Sequence, residues 1–173
     1  GEYNHWVGGI KGKKVPYDNC GQMVTVTVPT QLENLKFFFR YQVGFMYWRY
    51  FMWNFVGRQN DIQGHGEIEN GNWITGINFI DNKLVGGDQR ILPEAYKGKG
   101  RNVFYGLPLI LGIIGLCWQL GKGKKGTQQF WVVFSLFFMT GLAIVVYLNQ
   151  TPLQPRERDY AYAGSFYAFA IWI

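Results

Sequence analysis

The chain has 173 residues and a mean hydropathy of −0.08, enough for one ordinary domain and, on the average, no sign of a membrane. Its net charge of +6 is spread over distant segments, so no long basic stripe is left to hold nucleic acid, and two cysteines, Cys20 and Cys117, form no disulfide framework. The average conceals the deciding pattern: no Asp, Glu, Lys or Arg occurs from Asn102 to Gly121, from Gly126 to Pro155, or after Asp159, and charge-free gaps of that length are how a bilayer marks a sequence.

In chain order, residues 1–35 are rich in Gly, Lys and β-branched side chains. Met23 to Val28 alternates apolar residues with Thr, which predicts a short strand ending before Pro29. Thr30 with Glu33 three positions later has the spacing of a capping box and predicts a helix from Gln31. An aromatic helix over about 31–56 follows. Its centre, Phe37 to Val56, is as apolar as a spanning helix yet carries Arg40, Gln42, Arg49 and Asn54. At about 100° per residue, Gln42 and Arg49 share one side while Arg40 and Asn54 lie nearly opposite. Two arginines in mid-bilayer are costly unless paired, so this helix is expected at the membrane surface or buried under other helices.

From Gly57 to Gly100 the chain reads as irregular, punctuated by Gly64, Gly66, Asn70-Gly71, Asn82 and Gly86-Gly87. Trp73, Ile74, Ile77, Phe79 and Ile80 suggest one short strand or a packed loop within it. Two membrane spans are then expected, at about 103–120 and 130–148. The first contains Gly112 and Gly115, which permit close approach of a neighbour. The second, at 19 residues, is about 28 Å long as a helix, close to the hydrocarbon thickness. The connection 121–129 makes the pair an antiparallel hairpin, and Lys122, Lys124 and Lys125 crowd it, which argues for a cytoplasmic loop. Residues 1–102 and the loop 149–164 then share the outer side. The apolar run 165–173 reads as the start of a third span, and the chain as an internal segment of a longer protein.

The expected architecture is therefore mainly α and integral to a membrane. It comprises a transmembrane helical hairpin at 103–148, the beginning of a third span, an irregular mixed extramembrane segment and an aromatic interfacial helix. Its expected partners are the lipid bilayer and the remaining helices of the parent protein.

Two polar stretches are candidates for chemistry. Arg156, Glu157, Arg158 and Asp159 lie between two spans, where guanidinium forks can grip a phosphate and a carboxylate can act as base. The same four residues also make a self-neutralising ion-pair cluster that fixes a turn, stiffened by Pro152 and Pro155. Arg58, Gln59, Asn60 and Asp61 follow the aromatic helix, where amides and carboxylates behind Trp53 and Phe55 can receive a sugar or peptide. The alternative there is a plain helix end, with Gly57 as its left-handed cap and Asn60 or Asp61 opening a turn. His5 and His65 stand apart, Asp18, Asp81 and Asp88 are scattered, and neither a phosphate-binding loop nor a nucleophile elbow is present. No cofactor motif is evident.

Three strings, Tyr47 to Gly64 (YWRYFMWNFVGRQNDIQG), Gly71 to Ile77 (GNWITGI) and Thr140 to Ile173 (TGLAIVVYLNQTPLQPRERDYAYAGSFYAFAIWI), give the chain a specific likeness. It resembles a family of large bacterial multi-pass membrane proteins classed as a domain of unknown function. That family is grouped with eukaryotic protein O-mannosyltransferase-like membrane proteins. The resemblance runs over most of the chain from Pro29 onward. It implies a glycosyltransferase of the inner membrane using a polyprenyl-phosphate (lipid-linked) sugar donor and extracytoplasmic protein acceptors. It also implies that the catalytic acid lies upstream, in a first outer loop. A non-catalytic membrane scaffold or assembly partner of envelope proteins is the alternative from another class. A transporter is a third reading, and it predicts ionisable residues inside the spans, where 103–120 and 130–148 have none.

Overall fold

A computed structural model describes residues 2–88, 91, 93, 98–152 and 158–173. It is mainly helical, with two small sheets among the described residues. After a short helix α1 (Glu2–Val7), strands β1 (Lys13–Asn19) and β2 (Gln22–Val28) form an antiparallel hairpin in the register Val15↔Val26. The two-residue turn at Cys20 and Gly21 has φ of 53° and 88°, the doubly positive turn that matches the strands' right-handed twist. The alternation at Met23 to Val28 thus forms the expected strand.

The capping box forms as its spacing required. The Glu33 N–H donates to Thr30 Oγ1 at 3.3 Å, and the Thr30 N–H donates to Glu33 Oε2 at 2.7 Å. From there the chain is helical to Phe55 in three joined pieces: α2 (Gln31–Phe37), a π-helical stretch Phe38–Trp48, and α3 (Arg49–Phe55). Rings four apart stack in a column through the first junction, Phe37 on Tyr41 at 5.1 Å and Tyr41 on Phe45 at 5.9 Å, with Trp6 against the last two.

This run is the core of the molecule. Phe37, Tyr41, Met46, Tyr47, Tyr50 and Trp53 pack with Val7, Val145 and Tyr162, while Phe51, Met52, Phe55 and Val56 pack with Phe169 and Trp172. Burial on two sides explains why no single polar stripe exists. The polar residues fall into the two expected pairs, and packing decides their burial: Gln42 and Arg49 are buried, Arg40 and Asn54 exposed. The Arg49 guanidinium lies 3.9 Å from the Phe45 ring centroid and within 5 Å of those of Tyr50 and Trp53. Its Nε and Nη1 donate to the carbonyls of Phe45 and Gly71 at 3.1 and 2.9 Å. Aromatic faces and carbonyl dipoles replace the water that the charge gave up.

Four expectations are corrected here. Gly57 is not a left-handed helix cap but part of strand β3 (Gly57–Arg58), which pairs with β4 (Asn102–Val103). That pairing holds Asn102 and Val103 in extended backbone, so the first apolar helix, α5 (Leu107–Gly121), starts at Leu107 and not at 103. Trp73 bridges to Arg58 and Ile74 is buried in the loop after it, as the packed-loop alternative expects, but Phe79 and Ile80 lie in a helix, α4 (Asn78–Val85). The Asp81 carboxylate in its first turn accepts from the Thr75 N–H and hydroxyl and from the Gly76 N–H, at 2.6 to 2.9 Å, and folds the preceding loop onto it. Finally, 121–129 is not a loop of that length. Helix α5 (Leu107–Gly121) turns at Lys122 directly into α6 (Gly123–Thr140), because Gly126 has no side chain to strike the Gln119 carbonyl.

The second apolar run bends at Gly141 into α7 (Leu142–Leu148). At that bend the Tyr47 hydroxyl meets Ser165 Oγ at 2.6 Å, and a Cβ on Gly141 would lie 2.6 Å from both oxygens. A 3₁₀ turn, Asp159–Tyr162, leads into α8 (Ala163–Ala170), which packs on α6. Gly112 and Gly115 of α5 admit Phe169 and the Trp172 backbone at the end of α8, the close approach their spacing predicts. Among the described residues one helical stretch, Gly123–Leu148, is long and apolar enough to cross a membrane. Leu107–Gly121 is apolar but shorter.

Candidate functional site

Where α3 ends, the chain makes a recess of about 200 Å³ lined by Trp53, Asn54, Arg58, Asn102, Phe104 and Asp159. Each wall has a local cause. Trp53 and Asn54 come from the last turn of α3, and the Asn54 amide is steadied by donating to the Tyr50 carbonyl at 2.8 Å. Arg58 and Asn102 face each other across the β3–β4 ladder, and the Phe104 N–H donates to the Val56 carbonyl at 3.0 Å. The ladder depends on Gly57: its φ is 155°, and a Cβ there would stand 2.7 Å from the carbonyl oxygens of Asn102 and Ile74. Arg58 is held at one end by Nε donating to the Gly100 carbonyl at 3.0 Å, with its guanidinium carbon 5.2 Å from the Trp53 ring centroid. Asp159 reaches the recess from the start of the 3₁₀ turn, where Oδ1 accepts from the Tyr160 N–H at 2.9 Å.

One residue from each predicted stretch therefore meets here, Arg58 from one and Asp159 from the other. The remaining candidates do not. Gln59 and Asn60 are fully buried struts for the loop 67–72. The Gln59 amide donates to the Ile68 carbonyl at 2.9 Å and accepts from Asn72. The Asn60 amide donates to the Glu69 carbonyl at 3.0 Å and accepts from the Gly71 N–H at 2.9 Å. Asp61 is exposed and packs under the turn at Gly98 and Gly100, outside the recess. Arg158 is half-buried and opens the 3₁₀ turn. Its charge reaches Tyr162, whose hydroxyl burial nevertheless pushes up to about 12. Arg156 and Glu157 lie outside the described residues.

No family model, curated protein or solved structure matches the chain.

Sequence reasoning passed over Asn102 and Phe104, whose place in the recess comes from strand pairing across more than forty residues and leaves no local signal. His5 and His65 do not stand apart: with Glu2, Gly66 and Glu67 they line one cleft of about 290 Å³. Among the described residues, however, no group of three or more His, Cys, Asp or Glu side chains is arranged to hold a metal ion. Chemically, the recess offers a fixed cation and an exposed carboxylate beside an indole face. That combination can hold an anionic group while a carboxylate accepts a proton.

Proposed function

We propose that this chain is part of a multi-pass membrane glycosyltransferase-like protein that moves a sugar from a polyprenyl-phosphate donor to extracytoplasmic proteins. The observation that carries the reading is the meeting of Arg58 and Asp159 in one recess, from stretches a hundred residues apart that the sequence had singled out separately. Arg58 holds the donor phosphate, and Asp159 accepts a proton or braces the acceptor. The resemblance in Tyr47 to Gly64 and Thr140 to Ile173 supports the reaction class.

A bilayer setting is supported by the surface of the apolar helices. Only 11% of the most apolar part of Gly123–Leu148 is buried inside the molecule, and Ile110, Ile113, Ile114, Trp131, Val132, Met139 and Val146 all turn outward. A core helix of a water-soluble domain buries such side chains; a span presents them to lipid. On this reading α5 and α6 form an antiparallel hairpin in the inner membrane. The turn at Lys122 to Lys125 is cytoplasmic, and residues 1–102 and 149–164 lie outside the cytoplasm.

The experiment is Asp159→Asn and Arg58→Ala in the full-length protein, read by intact-glycoprotein mass spectrometry. Both variants are expected to lower glycan occupancy with the protein level unchanged, Asp159→Asn by roughly tenfold, as for loss of a hydrogen-bonding group that braces the acceptor beside the catalytic acid upstream. Unaltered glycans in both variants end the catalytic reading. A scaffold role then leads, favoured by one observation: Val15, Tyr17, Val24, Val26 and Val28 share one face of the β1–β2 hairpin, and all are exposed.

A further inference from the structure

The turn between α5 and α6 gathers three lysines, Lys122, Lys124 and Lys125, all of them exposed. No Asp or Glu occurs from Ala95 to Arg156, and among the described residues none of the three lysines makes an ion pair. Their positions are not electrostatically equal. Lys122 follows the last residue of α5, at the negative end of that helix, where a cation is favoured. Lys124 and Lys125 stand in the first turn of α6, beside the positive end of that helix, where cations are disfavoured. Gly126, tucked under the Gln119 carbonyl, draws the two helix ends together, so the three charges cannot spread along a loop. Positive charge crowded in this way, with no carboxylate of the chain to offset it, attracts an anion from outside.

The apolar side chains beside the lysines select what carries the anion. Lys122 Nζ lies 4.1 Å from the Trp118 ring centroid, and Trp118 and Leu120 on α5 and Trp131 and Val132 on α6 are all exposed within about two turns of the bend. An acidic peptide or a nucleic acid covers the lysines but leaves those four side chains in water. A phospholipid leaflet offers both surroundings at once, an anionic layer with an apolar phase directly beneath it. We propose that this turn binds the headgroups of anionic phospholipids. Lys124 and Lys125 reach the phosphate oxygens, the Trp118 ring holds Lys122 at headgroup level, and Leu120, Trp131 and Val132 enter the apolar phase below. The inference rests on the bilayer setting of α5 and α6 proposed above and adds the class of lipid to it; sugar transfer at Arg58 and Asp159 plays no part in it.

The test uses the full-length protein in nanodiscs of mixed phosphatidylglycerol and phosphatidylcholine, one or the other lipid carrying a diazirine beside its headgroup, with crosslinks mapped by mass spectrometry. Crosslinks within 118–131 are expected about fivefold more often from phosphatidylglycerol, and the excess is expected to shrink as salt is raised. Lys122→Gln, Lys124→Gln and Lys125→Gln together are expected to bring the two lipids to parity. The same three changes at Lys11, Lys13 and Lys14 are expected to leave the ratio at 118–131 as it was. Cys117 keeps this inference apart from the reading beneath it. If a membrane-impermeant maleimide labels Cys117 promptly in the same nanodiscs, the bilayer setting fails and the lipid site with it. If Cys117 is protected but the two lipids crosslink equally, or the lysine changes do not move their ratio, only the anionic-lipid site is overturned. Suppression of the crosslinks by polyglutamate, with Cys117 still protected, overturns it too and gives the turn to an acidic protein.

Discussion

Single side chains near the N-terminus do work that their spacing foretells. The Glu33 carboxylate accepts from the Thr30 N–H at 2.7 Å and from the Lys11 N–H at 2.6 Å, so it closes the capping box and also ties down the chain that leaves α1. Those two N–H groups hold its carboxyl below the usual 4.5. With the folded value below the unfolded one, its stabilisation is complete above about 4.5 and is lost as the pH falls through the depressed folded value. Amide hydrogen exchange should therefore show Lys11 and Thr30 losing protection in acid, and Glu33→Gln should flatten that dependence. A pH-independent profile would remove the carboxylate from this role. The capping half of the arrangement was legible in Thr30 and Glu33; the reach to Lys11 was not, because it spans 22 residues and depends on how the hairpin returns.

Between elements, the pairing of β3 with β4 is what makes the recess. Both strands have only two residues, so the ladder is weak by itself and sensitive to its closest approach. Gly57→Ala adds a methyl 2.7 Å from two carbonyl oxygens at a backbone angle that side chains rarely adopt. The substitution is expected to cost roughly 1–3 kcal/mol, and to loosen Arg58 from Gly100. Chemical denaturation gives the first quantity, and the reactivity of the Arg58 guanidinium toward a dicarbonyl reagent gives the second. Helix positions follow the same logic. The glycines of α5 predicted a close neighbour, and the neighbour is the end of α8. The Gly- and Lys-rich stretch after Gly121 predicted a loop, but Gly126 is there to let α6 start beneath the Gln119 carbonyl. A glycine signals a close approach as readily as a turn, and only the neighbour distinguishes them.

For the molecule as a whole, the apolar residues sit in two different surroundings. The aromatic run 37–56 is wrapped by protein on two sides, while α5, α6 and α7 turn isoleucine, valine, tryptophan and methionine outward. The two cysteines report on this division without any engineering. Cys20, in the hairpin turn, and Cys117, on α5, are both exposed in the isolated molecule. In a bilayer, a membrane-impermeant maleimide added to intact spheroplasts is expected to label Cys20 at once and Cys117 only after detergent. Prompt labelling of Cys117 in the intact membrane would end the bilayer placement of α5, and no labelling of Cys20 would reverse the orientation.

Legible in the sequence were the apolar stretches, the capped start of the aromatic run, the strand at Met23 to Val28 and the grouping of Gln42 with Arg49 opposite Arg40 and Asn54, though not which pair would be buried. Each of these rests on local spacing, which a periodic backbone converts directly into direction. Which polar residues line the recess and which are buried struts depends on long-range packing. Arg58, Gln59, Asn60 and Asp61 are neighbours in the chain, yet one lines the recess, two are buried beneath a loop and one sits outside. Consecutive residues in irregular backbone point in unrelated directions, and their partners, at 67–72, 98–104 and 159, are fixed by long-range pairing that no local pattern encodes.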